Sequence, residues 1–155
     1  AEEQTVAWEE QKALERAEKK QKSILDGVTV GLPALTRAVK LQKRAARVGF
    51  DWPSTSGVID KLNEEMLELS EELIATQQDQ EKIEEEFGDM MFVYANLARH
   101  LKIDPEQALK KANKKFTRRF NKIEQEVENK QSSFDQFSLD ELEEFWQQAK
   151  IEEKK

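Results

Sequence analysis

Residues 62–92 read LNEEMLELSEELIATQQDQEKIEEEFGDMMF. Leu62, Met66, Leu69 and Leu73 recur at spacings of three and four, the period of one helix face. Ile83, Phe87, Met90, Met91, Tyr94, Leu97 and Ala98 repeat that pattern further on. Between the two runs, ATQQDQ carries no apolar stripe and breaks the helix. The stretch therefore predicts two amphipathic helices folded back on each other about residue 77.

The same stretch is acidic. From Glu64 to Asp89 it holds eleven Asp and Glu against one base, Lys82. On a wheel of about 100° per residue, Glu65 and Glu86 fall at the rims of their apolar stripes. Glu68 and Asp89 lie further round on the same sides. Residues three apart are neighbours on a helix surface, so Glu65 with Glu68 and Glu86 with Asp89 form two carboxylate pairs. Glu65 and Asp89 are equidistant from residue 77, as are Glu68 and Glu86. An antiparallel hairpin brings all four to one height. Four such charges repel unless a cation sits between them. An all-oxygen cage suits a hard divalent ion, Mg²⁺ or Mn²⁺. A di-iron bundle would need Glu-x-x-His, and Leu97 stands three before the single histidine, His100. His100 reads as a surface residue at a helix end. The alternative for the carboxylates is a solvated helix face.

Outward from the hairpin the chain stays helical. Residues 3–23 form a polar helix with Trp8 and Leu14 among its few apolar positions, suited to lying against the domain body or a partner. ILDGVTVG (24–31) reads as a loop, with a short strand as the alternative. Pro33 opens a second helix and Gly49 stops it. Ser54, Thr55 and Ser56 are candidate caps for the helix carrying Leu62. Asp104 and Pro105 start a fifth helix running to about residue 130. Ser138 and Glu141 have capping-box spacing and open the last one. Strand alternation is absent, so the fold class is all-α, a helical bundle with the metal site on an antiparallel helix pair.

Composition bounds the function. The 155 residues suffice for one domain with its own core. Charged residues make up 37%, against about 25% in an average soluble protein, so a charge run alone says little. A net charge of −7 argues against attraction to nucleic acid or an acidic membrane. The chain has no cysteine, which excludes disulfides, Cys-bound zinc and thiol catalysis. No apolar run approaches the roughly 18 residues of a membrane span, and no signal peptide is visible. The first residue is Ala and the start reads as the middle of something, as in a piece of a longer protein.

KKANKKFTRRFNK (110–122) is the basic counterpart, with seven Lys and Arg and no acid. Leu109, Ala112, Phe116, Phe120 and Ile123 make its apolar stripe, and Lys115 and Arg119 share a face. Such a helix beside an acidic metal site would suit a metal-bound polyphosphate. Salt bridging between helices is the plainer alternative; nucleic-acid binding fits poorly with the acidic remainder. Trp146 could stack on a base or pack in a core.

EEMLE followed by EEEFGDMMF resembles the E-E-x-x-E…E-x-x-D signature of the MazG-type all-α nucleoside triphosphate pyrophosphohydrolases. LPALTRAVKLQKRAARVGFDW, NLARHL, ALKKANKKFTRRF and EEFWQQAK resemble the second, active half of the two-domain members. WEEQKALERAEKK is similar to the segment joining the halves, which makes residues 1–25 a joining segment and 26–155 the catalytic domain. The resemblance implies Mg²⁺-dependent hydrolysis of (deoxy)nucleoside triphosphates to monophosphate and pyrophosphate. It implies Glu65, Glu68, Glu86 and Asp89 as metal ligands and Glu64 as the group that orients or deprotonates water. Lys82, Lys115 and Arg119 would meet the phosphates, Trp146 the nucleoside, and Lys12 the substrate from the joining segment. A homodimer or larger assembly in the cytoplasm is implied, without membrane or nucleic-acid partners. A relative with narrow dUTPase-like or dCTPase-like specificity and a non-catalytic helical module are the alternatives.

Overall fold

The computed structural model describes residues 2–18 and 23–155. Its α-helices are α1 (Glu2–Glu18), α2 (Ala34–Ala46), α3 (Thr55–Ile74), α4 (Gln80–His100), α5 (Pro105–Asn129) and α6 (Leu139–Glu152), with a 3-10 turn at Phe134–Gln136. No strand occurs among the described residues, so 24–31 takes the loop reading. The expected first helix continued to residue 23; α1 ends at Glu18, and 19–22 lie outside the described residues. No described helix is long and apolar enough to cross a membrane.

The ends are set by short polar side chains. Ser54 Oγ accepts from the Gly57 N–H at the start of α3. Asp79 accepts from the N–H groups of Glu81 and Lys82 at the start of α4. Asp104 accepts from Glu106 N–H, and Pro105 fills the first position of α5 without needing a donor. Ser138 and Glu141 form the full capping box of α6. Pro33 caps α2 beside its first helical position, as expected, with its carbonyl accepting from Arg37 N–H at 2.9 Å. Gly49, at φ 87°, turns the chain after α2, and its N–H donates to Ala46 O.

The chain forms two compact units, one ending at Glu106 and the other running Gln107–Lys155. In the first, α4 packs against both α3 and α2. The short connection 75–79 makes α3 and α4 an antiparallel pair turning at residue 77. Val58, Leu69, Met90, Val93 and Ala95 are buried there. Full burial of a side chain such as Val58 contributes about 1.5–3 kcal/mol. The buried Gln42 ties α2 to α4 by donating Nε2–H to Phe92 O at 2.8 Å. Trp52 lies on the start of α3, where a Cβ on Gly57 would come 3.0 Å from the indole.

Two expectations need correction. Met66, Leu73, Phe87, Met91 and Tyr94 belong to the apolar stripes yet stay 41–50% exposed. A pattern of threes and fours spreads over a wider arc than α2 and one antiparallel neighbour cover. His100 ends α4 as expected but is not a surface residue, its side chain being only 11% exposed. Its Nε2 lies 2.9 Å from Asp51 Oδ1, which also receives Arg99, and this trio ties the loop after α2 to the end of α4. Burial would raise the Asp51 carboxyl, but hydrogen bonds and charge from Arg99 and His100 outweigh it and hold the group below the usual range.

In the second unit, Ile123, Val127 and Ala149 are buried. Phe116 stacks near Phe120 and Trp146, with ring centroids 5.8 and 5.5 Å away. Leu109 and Phe116, assigned to the α5 stripe, remain 49% and 57% exposed.

Candidate metal centre

The α3–α4 pair brings Glu65, Glu68 and Glu86 together, with a carboxylate oxygen of each within 4.8 Å of the others. Glu65 is buried, 5% exposed, and Glu68 and Glu86 are half-buried. The cause is the turn at residue 77: it sets Glu68 opposite Glu86, and Glu65 lies one turn along α3 from Glu68. Asp89, exposed and three residues beyond Glu86, is not in this group.

The electrostatics call for a cation. Glu65 Oε2 and Glu86 Oε2 are buried and have no hydrogen-bond partner. A buried acceptor left without a partner costs about 1–3 kcal/mol, more when charged. Partial burial raises the Glu68 carboxyl above its usual range, and the charges of Glu65 and Glu86 push it the same way. Three converging carboxylates with two unpartnered buried oxygens fit a hard divalent ion, because all the donors are oxygen.

Lys61 is the residue the sequence reading overlooked. Its Nζ sits 2.8 Å from Glu65 Oε1 and 3.2 Å from Glu64 Oε2. The Glu65 hydrogen bond chiefly raises the Lys61 ammonium above its ordinary value, so it stays charged. The signal was present in the spacing, since Lys61 precedes Glu64 by three and Glu65 by four. Glu64 itself is exposed, its side chain at 56%.

The carboxylate trio does not include the remaining expected residues. Lys82 is exposed in the first turn of α4. Lys12, on α1, faces Glu15 at 3.6 Å and lies 5.5 Å from the Trp8 ring centroid. Lys115, Arg119 and Trp146 belong to the second unit, where Lys115 is exposed. The Arg119 guanidinium lies 5.5 Å from the half-buried Trp146 ring. Glu153 accepts from Arg118 Nε at 2.7 Å and Arg119 Nε at 2.9 Å. The Arg118 hydrogen bond leads in lowering the Glu153 carboxyl to about 2.

Residues 54–123 match the family described as MazG nucleotide pyrophosphohydrolase domain. The chain is 48% identical over 146 residues to a nucleoside triphosphate pyrophosphohydrolase of Escherichia coli K12, covering 94% of this chain and 56% of that protein. It is 41% identical over 143 residues to the nucleoside triphosphate pyrophosphohydrolase/pyrophosphatase MazG of Thermotoga maritima, covering 92% and 54%. An uncharacterised protein of Bacillus subtilis, YabN, is 40% identical over 150 residues, covering 96% of this chain and 30% of its own length. The chain thus spans about half the length of the first two relatives.

Proposed function

With residues 54–123 belonging to the MazG nucleotide pyrophosphohydrolase domain family, we propose that this chain hydrolyses nucleoside triphosphates to nucleoside monophosphate and pyrophosphate. The observation that carries the proposal is the trio Glu65, Glu68 and Glu86 with its two unpartnered buried oxygens. Those three side chains would hold Mg²⁺, or Mn²⁺ in its place, and Asp89 is the fourth ligand by resemblance to the family signature. When bound, the ion supplies positive charge against the phosphate oxygens.

The chain's own groups do the rest. Glu64, exposed beside the cluster in sequence, orients water and takes its proton. The water oxygen bonds to the α-phosphorus, the bond to the bridging oxygen breaks, and pyrophosphate departs. Lys82, Lys115 and Arg119 are assigned to the phosphates, Trp146 to the nucleoside and Lys12 to the substrate, each on the family resemblance. Lys61 holds the Glu64–Glu65 pair in place without joining the carboxylate trio. Specificity is broad in this reading, and the activity serves nucleotide-pool housekeeping or control of stress nucleotides in the cytoplasm. Residues 1–25 are read as a joining segment ahead of a catalytic domain at 26–155.

The exposed apolar residues Met66, Phe87, Met91 and Tyr94 on α3 and α4 support a homodimer or larger assembly that covers them. The deciding experiment is pyrophosphate release from a panel of common NTPs and dNTPs, with Mg²⁺ and with chelator, beside Glu68→Ala. Broad release lost in chelator and in the variant is expected. Release from one nucleotide alone would replace broad by narrow specificity. Full turnover in chelator, or none from a folded chain, would overturn the assignment.

A further inference from the structure

The chain carries a net charge of −7, yet one of its cavities is strongly basic. This cavity, about 500 Å³, lies in the first unit between Trp8 and Lys12 of α1 and Lys40, Lys43 and Arg44 of α2, with Arg47 at the end of that helix. Among the described residues, Glu15 is the one acidic residue lining it. Lys40, Lys43 and Arg44 of α2 and its cap residue Arg47, itself in helical conformation, follow i, i+3, i+4 and i+7 spacing, so one helix face presents them all.

Part of this charge is already engaged. Arg44 donates to the carbonyls of Ile24 and Asp26 at 3.1 and 3.0 Å. Arg47 meets Glu9 at 3.6 Å, and Lys12 meets Glu15 at the same distance. Lys40 and Lys43 are exposed and, among the described residues, have no ion-pair partner. Two like charges three residues apart on one helix face repel unless an anion bridges them. The half-exposed Trp8 ring forms an aromatic wall beside them. Glu65, Glu68 and Glu86 do not line the cavity.

We infer that this cavity is a second anion site that takes a nucleotide. Lys40 and Lys43 hold its phosphates, with Arg47 at the edge, and the base lies on Trp8. Positive side chains supply the charge, so binding needs no divalent ion. A nucleotide is favoured over a nucleic acid because the cationic surface is a bounded cavity and the chain as a whole repels polyanions. The site stands independently of the proposed hydrolysis, which requires the divalent ion.

Calorimetry on the full chain carrying Glu68→Gln, in excess chelator, tests it with ATP and inorganic tripolyphosphate as probes. Both should bind, ATP the more tightly. Lys40→Glu with Lys43→Glu should weaken both on the order of 100-fold, since two charge-assisted contacts are lost. The milder Lys40→Gln with Lys43→Gln, its helicity checked by circular dichroism, should weaken both about tenfold. Trp8→Ala should erase the advantage of ATP and leave tripolyphosphate unchanged. Absence of binding in chelator, or binding indifferent to positions 40 and 43, would overturn the proposal. So would a single-stranded oligonucleotide binding far more tightly than ATP at physiological salt, which would make the face a nucleic-acid surface.

Discussion

Glu65 concentrates the physical problem of this molecule. It is 5% exposed, with one oxygen held by Lys61 and the other without a partner. A divalent ion bound there would relieve that cost and so stabilise the fold by mass action. At a concentration 100 times the dissociation constant the gain is about 2.7 kcal/mol. Scanning calorimetry should show Mg²⁺ raising the melting temperature of the chain, and Glu65→Ala should abolish the rise. An equal rise in the variant would remove Glu65 from the metal centre. Lys61→Ala should act in the opposite sense, since it leaves both Glu65 oxygens unpaired. A loss of about 1–3 kcal/mol is expected without metal, smaller with it, read from urea unfolding. Lys61 was legible only in part. Its spacing to Glu64 and Glu65 was in the sequence, but the burial that makes the contact matter was not.

Among the elements, α6 shows how one terminal residue can order two cations. Glu153 follows α6 and accepts from both Arg118 and Arg119. Its carboxyl, held at about 2 against an ordinary 4.5, is depressed in the fold. The stabilising contribution is then fully present above pH 4.5 and is lost as pH falls towards 2. An NMR titration should find Glu153 ionising well below the other glutamates, and Arg118→Ala with Arg119→Ala should return it to the common range. A midpoint near 4.5 in the unmodified chain would dismiss the clamp. The capping box of α6 and the Asp79 cap of α4 were readable as local spacing. The clamp was not, because Arg118 and Glu153 are 35 residues apart and only folding sets them face to face.

For the whole molecule, the notable feature is how much apolar surface remains on the α3–α4 pair. Phe87, Met91 and Tyr94 are 50%, 41% and 47% exposed, and Met66 is 44% exposed. Large exposed apolar patches are a mark of interaction surfaces in general. Met91→Arg should convert an assembled chain to monomer in light scattering behind size exclusion, with helicity unchanged. If the unmodified chain is monomeric at micromolar concentration, or the variant assembles equally, another explanation for the face is required.

The all-α class, the order of the helices and the turn at residue 77 were determined by sequence alone, because caps and helical periodicity are local properties. The opposition of Glu68 and Glu86 was readable for the same reason, since a short turn leaves an antiparallel pair little freedom of register. Tertiary structure alone decided which side of each stripe is covered, that Asp89 stands outside the close carboxylate trio, and that His100 is tucked against Asp51. It also decided that cations from α1 and α2 line one cavity. Periodicity says that a helix has an apolar face. Which groups meet across it depends on the rotation of each helix against its neighbours, and packing sets that rotation.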